Sequence, residues 1–369
     1  MDILSLLRLA KSKGASDLHL VVSSPPVLRI NGSLQPVDNM EPLSHDDIYQ
    51  LFSQITSEED RQSFSRRPEM DFSYTIPDVG RCRCNAARQL GTISLVIRLL
   101  PITIPSFDEL GLPQICEELA VKPQGLVVIS GPTGSGKSTT LAAMINHLNT
   151  ANDNDIGSRR VVTVEDPVEY VYPSLNCTIT QRELGGDTLS FAEALRHVLR
   201  QDPDVILIGE MRDTETAAAA LTIAETGHLV LTTGHASSTY GAIERIIDLF
   251  PPDERHLAQT RLASVLLGVL CQRLIPRADA SGRVVAVEVM LANSATRNLI
   301  REGKIFQLPN TIRTHSREGM QLSDQALVSL YRKRIISREN LFFYCNEPDE
   351  VEKLIGNSQD ILTTIQSQP

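Results

Sequence analysis

No run of residues comes near the ~18 consecutive apolar positions that a membrane-spanning helix needs, so the chain reads as a soluble globular protein. Its leucine-rich start is interrupted by Arg8, Lys11 and Lys13. That leaves no apolar signal-peptide core and predicts a chain that stays in the cytoplasm. Positive charge is in short supply: 35 Lys and Arg face 45 Asp and Glu, a net charge of -10. Such a balance repels phosphate backbones on average and argues against general nucleic-acid coating, while leaving room for a local basic patch. Cys82, Cys84, Cys116, Cys177, Cys271 and Cys345 contain no C-x-x-C pair. A zinc site is therefore disfavoured, and the cysteines read as reduced, buried small hydrophobes. Cys82 and Cys84 lie two apart in an alternating segment, which puts both on one face of a strand and reads as packing. No long internal repeat is visible.

What is present suits about two domains with real cores: 369 residues, 41% hydrophobic against 22% charged. Residues 2–13 carry apolar positions at helical spacing, and Gly14 stands where a C-terminal cap would be. The period then becomes two. Residues 18–22 and 27–31 read as strands, and Asn31-Gly32 as a hairpin turn into 33–37. Ser44 with Asp47 resembles a capping box opening a helix with Ile48, Leu51, Phe52 and Ile55 as its apolar stripe. Residues 70–76, 81–89 and 92–100 alternate again, so residues 1–100 form an expected antiparallel α+β domain.

The prolines at 101 and 105 predict a semi-rigid linker over 101–112. Beyond it, apolar runs at 126–130, 161–164, 205–208 and 229–232 alternate with helical stretches, which predicts a parallel sheet covered on both faces within 113–292. A polar insert over 149–158 reads as a loop, residues 293–347 as helical, and 348–369 as a polar tail.

Gly131, Pro132, Thr133, Gly134, Ser135, Gly136, Lys137 and Ser138 spell G-x-x-x-x-G-K-S directly after an apolar strand and directly before a helical run that opens at Thr139. In that context the pattern is highly specific for a phosphate-binding loop. Successive backbone N–H groups converge on the β-phosphate, Lys137 reaches the β- and γ-phosphates, and Ser138 supplies a hydroxyl to Mg²⁺. The run at 205–208 ends in Gly209-Glu210, and a parallel sheet delivers Glu210 to the same edge, as a candidate base for water or a helix-capping acid. Another strand runs into Glu165, Asp166, Pro167 and Glu169, and the carboxylate of Glu165 or of Glu169 suits a water-mediated hold on Mg²⁺. His228 and His235 flank the run at 229–232, in a structural or a functional role.

At these residues the chain resembles the secretion ATPases of the superfamily that includes PilT and GspE, specifically the PilT type, the retraction motors of type IV pili. The resemblance covers nearly the whole chain. Glu210 falls on that family's Walker B glutamate, the stretch from Val164 to Glu169 on its Asp box, and His228 and His235 on its His box. Residues 14–20 resemble the amino-terminal signature and residues 297–302 the carboxyl-terminal motif linked to retraction. Two departures stand out: Gly234-His235-Ala236 replaces the usual Leu-His-Thr, and Thr296 replaces an isoleucine. The tetracysteine zinc element of many extension and type II secretion ATPases is missing, which favours retraction.

The resemblance implies an α/β fold, an N-terminal PAS-like domain joined to a RecA-like P-loop ATPase core with a helical C-terminal end. It implies a homohexamer with ATP and Mg²⁺ between subunits, reached by arginines of the N-terminal domain. The matching positions are Arg81, Arg83 and Arg98, where strand alternation puts Arg81 and Arg83 on one face. It further implies a platform protein of the inner membrane as partner, a peripheral position at the inner membrane face, and a membrane reached only through proteins. An accessory retraction ATPase of the PilU kind, acting beside a second retraction ATPase, is the alternative within the class. A conjugation-type translocation ATPase is argued against by the acidic balance, which speaks for no nucleic acid, and a scaffold without turnover by Glu210.

Overall fold

Period-two alternation builds the first sheet, and three short helices belong with it. The computed structural model describes residues 1–30, 32–100, 103–151 and 158–356. The expected turn at Asn31, the linker residues Pro101 and Ile102, most of the polar insert and the end of the tail lie outside the described residues. Residues 1–103 with Glu169–Val171 form one compact unit. Its strands are β1 (Asp17–Leu20), β2 (Val27–Ile30), β3 (Ser33–Pro36), β4 (Glu69–Ile76), β5 (Gly80–Gln89) and β6 (Thr92–Leu99), in the antiparallel order β3-β2-β1-β6-β5-β4.

The helix Ile3–Ser12 is capped by Asp2, and His45–Gln54 opens with the expected Ser44–Asp47 capping box. A further helix, Glu58–Arg66, carries its own box from Ser57 and Asp60. Periodicity does not reveal it, because only Phe64 of that helix is buried, too little to make a stripe. Phe52, Leu51, Leu18, Leu95 and Ile97 share one core with Cys82 and Cys84, both fully buried. Truncating Phe52 to alanine there costs roughly 3–5 kcal/mol. Arg83 lies opposite Arg98 across β5 and β6, while Cys84 lies opposite Ile97. Alternation therefore puts Arg81, Arg83 and Arg98 on the face away from that core.

The second unit, which starts at Ile104, holds β7 (Gly125–Ser130), β8 (Arg160–Glu165), β9 (Thr178–Glu183), β10 (Val205–Ile208), β11 (Leu229–Thr233), β12 (Leu266–Pro276) and β13 (Arg283–Leu291). Their order is β13-β12-β7-β11-β10-β8-β9. All neighbours are parallel except β12 and β13, which pair antiparallel. Strands β7, β10 and β11 are buried throughout, as continuous Val/Ile/Leu runs in a doubly covered sheet must be. In such sheets ligands bind beyond the carboxyl ends of the strands.

After β13 the chain is helical, through Ser294–Arg301, Leu308–Thr314, Ser323–Arg332 and Arg338–Tyr344. Ile300, Leu308 and Ile312 join the main core, whereas Leu327, Ile336 and Leu341 pack with Ile275 and Ala286 of the β12–β13 pair. Arg297 and Arg301 lie four apart in the helix Ser294–Arg301, yet they do not share a charged side. The Arg297 guanidinium turns inward and donates to the carbonyls of Ala263, Ser264, Leu266 and Ala292, closing the end of the helix Arg255–Val265. Thr296 is fully buried, and its hydroxyl bonds to Leu291 O and Asn293 O at 3.0 Å each. The buried hydroxyl is thus satisfied. Among the described residues no helix is long and apolar enough to cross a membrane.

Candidate functional site

β7 stops at Ser130, and the loop 131–136 carries the chain into the helix Lys137–Thr150. Gly131 has φ +139°, and a Cβ there would lie 2.3 Å from Gln272 O and 2.7 Å from Ser135 Oγ. Only glycine fits. Gly136, at φ +91°, is the N-cap, and no side chain closes that helix start. By contrast, the helices Thr214–Glu225 and Thr239–Asp248 are closed by Asp213 and Ser238. The open first-turn amides make a ready anion site.

Lys137 is buried and its Nζ donates to Gly131 O at 2.8 Å and Pro132 O at 3.1 Å. Burial pulls its pKa down while the Glu210 carboxylate works in the opposite sense. Ser138 is exposed, Thr139 half-buried, and the buried Ser135 Oγ has no hydrogen-bond partner among the described residues. A cavity of about 300 Å³ opens beside Pro132, Thr133, Gly134 and Ser135 and is bounded by Arg273, Arg283 and Tyr344. Those last three are far from the loop in sequence, and nothing in their local pattern marks them.

Parallel pairing of β8, β10, β11 and β7 brings their carboxyl ends to that same edge. Glu210 follows β10. It is half-buried, lies 3.1 Å from His235 Nε2 and is ion-paired with Arg212. Burial pushes its pKa up, but the hydrogen bonds and charges of Arg212 and His235 outweigh this and hold it below the usual carboxylate range. Glu210 is therefore ionised, the state that can orient water or take its proton. Arg212 also stands 3.8 Å from Asp166. Arg212 is absent from the candidates that sequence reasoning supplies, although its place two residues after Glu210 is a usable signal. Glu165 is buried and accepts from Thr163 Oγ1 at 2.6 Å and Gln181 Nε2 at 3.1 Å, so β8 and β9 hold it.

A cavity of about 340 Å³ is lined by Glu210, Arg212, Thr233, His235 and Arg245, among others. Thr233 Oγ1 donates to Gly209 O at 2.5 Å and ties the ends of β10 and β11 together. Gly234 also has a spatial reason: a Cβ would lie 3.1 Å from Ser130 Oγ. That hydroxyl donates to Ala236 O at 2.8 Å, and the Cys271 thiol, its pKa pushed up to about 12 by burial, donates to the same oxygen at 3.4 Å.

His228 does not lie at this edge: it precedes β11, at the opposite end of the strand, about 16 Å away at ~3.3 Å per residue over a five-residue strand. Its Nδ1 lies 3.1 Å from both Thr226 Oγ1 and Ile223 O. Glu169 groups with the first unit, to which Arg81, Arg83 and Arg98 also belong. Arg83 and Arg98 are exposed and Arg81 half-buried. Arg98 Nε donates to the buried Asp17 at 2.9 Å, which fixes its side chain from within that unit.

Comparison with known proteins adds to this geometry. A family model described as type II/IV secretion system protein matches residues 10–328. The chain is 44% identical over 340 residues to the type IV pilus retractation ATPase PilT of Pseudomonas aeruginosa, spanning 92% of this chain and 97% of that one. It is 38% identical over 362 residues to the type IV pilus ATPase PilU of the same organism, spanning 98% and 93%. The crystal structure of the pilus retraction motor PilT with bound ADP matches with a TM-score of 0.88 at 41% identity, over 96% of this chain and 99% of that one.

Proposed function

Since the chain belongs to the type II/IV secretion system protein family and is a nucleotide-binding ATPase, we propose that it is the motor of type IV pilus retraction, working as a homohexamer. The observation that carries the chemistry is Glu210, set between Arg212 and His235 at the sheet edge that also bears Lys137. Lys137 faces the β- and γ-phosphates and Glu210 orients or deprotonates the attacking water. His235 fixes the Glu210 carboxylate. Arg81, Arg83 and Arg98 reach the nucleotide of a neighbouring subunit, where arginines given in trans are worth ~10³- to 10⁵-fold. Glu165 and Glu169 act through water.

Mg²⁺ fits this donor set. Among the described residues no cluster of three His, Cys, Asp or Glu is arranged to hold a metal. Mg²⁺ on a nucleotide needs none, since it keeps several waters and the phosphate oxygens. The exposed Ser138 hydroxyl, beside Lys137 at the helix start, supplies the protein ligand. When bound, the ion neutralises phosphate charge. The greater identity to PilT than to PilU, 44% against 38%, supports a principal rather than an accessory motor. Its partner is then a pilus platform protein at the inner face of the cytoplasmic membrane.

Glu210→Gln tests the proposal: it is expected to bind ATP, hydrolyse it at least ~100-fold more slowly, and fail to restore twitching in a strain whose own motor is deleted. Turnover near wild type moves the base elsewhere. Twitching without hydrolysis separates this ATPase from retraction, and stimulation of the parent by single-stranded DNA favours a translocation motor.

A further inference from the structure

The loop that carries His235 does not rest on β11 alone. Gly234 N donates to Ile129 O at 2.9 Å, and from there the chain passes over a row of side chains in register across three strands. Ser130 of β7 pairs with Cys271 of β12, and Cys271 pairs with Glu288 of β13. All three are buried. Cross-strand partners stand on the same face of a sheet, so the row forms one continuous support. Ser130 and Cys271 hold the carbonyl of Ala236, one residue after His235. Glu288 holds the far end of the loop: its Oε1 accepts from Thr239 N and Thr239 Oγ1, both at 2.7 Å.

The other oxygen of Glu288 turns toward the helical end of the chain and accepts from Ser323 N at 3.2 Å. Thr239 and Ser323 are the first residues of the helices Thr239–Asp248 and Ser323–Arg332. One buried carboxylate thus takes main-chain donors from two helix starts, whose dipoles favour a negative charge there. A buried acid is rarely kept without such partners, and neither phosphate binding nor the activation of water uses this one.

We propose that Glu288 is a positioning residue for ATP hydrolysis, holding the loop 234–239 so that His235 meets Glu210 and tying that loop to the start of the helix Ser323–Arg332. The inference rests on the proposed role of His235 in fixing the Glu210 carboxylate. Glutamine keeps the shape of Glu288, yet its amide always turns a donor toward either Thr239 or Ser323, both of which donate. Aspartate keeps the charge with a shorter reach.

The test uses the assembled full-length protein. Glu288→Gln is expected to lower kcat for ATP about tenfold, with KM within about twofold, because the change affects the reacting arrangement and leaves the phosphate loop alone. In a His235→Ala background the same substitution is expected to cost less than about twofold more, since its effect passes through His235. Hydrogen exchange at the backbone amides of 234–239 is expected to quicken in Glu288→Gln, and Glu288→Asp to recover part of kcat.

Equal losses with and without His235, or a lowered kcat with unchanged exchange at 234–239, overturn the proposal. If His235→Ala alone leaves kcat unchanged, the role given to His235 falls and the exchange decides for Glu288: faster exchange upholds the tether, unchanged exchange removes it. Should Glu288→Gln fail to fold, Thr239→Val deletes only the hydroxyl donor. It is then expected to lower kcat about threefold with the same dependence on His235, and additivity overturns the proposal there too.

Discussion

The two edges of the core sheet differ in whether their charged side chains meet one another. At the amino edge these groups are occupied by the main chain. His228 sits against Ile223 O, Arg159 donates to Val121 O and Lys122 O, Arg160 Nε donates to Gln201 O, and Asp204 accepts from Arg160 N at 2.7 Å. At the carboxyl edge Lys137 also donates to main-chain carbonyls, but Glu210, Arg212, Asp166 and His235 face one another. Bonds to the backbone are fixed with the fold. Pairs among side chains can exchange a partner for phosphate or water at modest cost, and that capacity is what a catalytic edge needs.

The comparison breaks if substitutions at the two edges have the same kind of effect. Lys137→Ala comes first in size. Removing a charged donor worth about 1.5–3 kcal/mol is expected to weaken ATP binding about 10- to 100-fold by calorimetry, with a near-parental melting temperature. Unchanged binding sinks the assignment of the phosphate loop. The smaller effect belongs to the amino edge. Asp204→Ala removes an exposed side chain's bond to Arg160 N, so a loss of about 1 kcal/mol in stability is expected. In a unit of this size that lowers the melting temperature by about 2–4 °C. Turnover per folded molecule is expected to match the parent, and a large loss of kcat without loss of stability contradicts the division between the edges.

Much of this edge is legible in the sequence, because the features that build it are local. A glycine-rich loop between an apolar strand and a helix, and a Val-Ile-Leu-Ile run ending in Gly209-Glu210, each carry their own context. The capping box at Ser44 and the buried pair Cys82 and Cys84 are legible for the same reason. Other elements lack a local signal. β9 is a polar edge strand, Thr-Ile-Thr-Gln-Arg-Glu, without an apolar period, and the antiparallel pairing of β12 with β13 is a long-range choice. The sequence already sets His228 and His235 at opposite ends of one strand, but the contacts of His228 with Thr226 and Ile223 have no local signal. The inward turn of Arg297 is not legible, because a helical wheel shows which side a residue leaves from, and a long side chain can fold back to carbonyls on another helix. Glu288 stands in an apolar strand where sequence offers no hint of the two helix starts it serves.

The most direct measurement is steady-state ATP hydrolysis by His235→Ala and His228→Ala, side by side, at saturating ATP and with the oligomer's mass checked in each. The two histidines bracket the same five-residue strand, so only the edge differs. His235→Ala is expected to lower kcat by about tenfold or more, as loss of a group that orients the reacting carboxylate should. His228→Ala is expected to stay within about twofold of the parent while melting a few degrees lower. A loss of turnover confined to His228→Ala, or equal losses in both, would contradict the assignment of the catalytic site to the carboxyl edge.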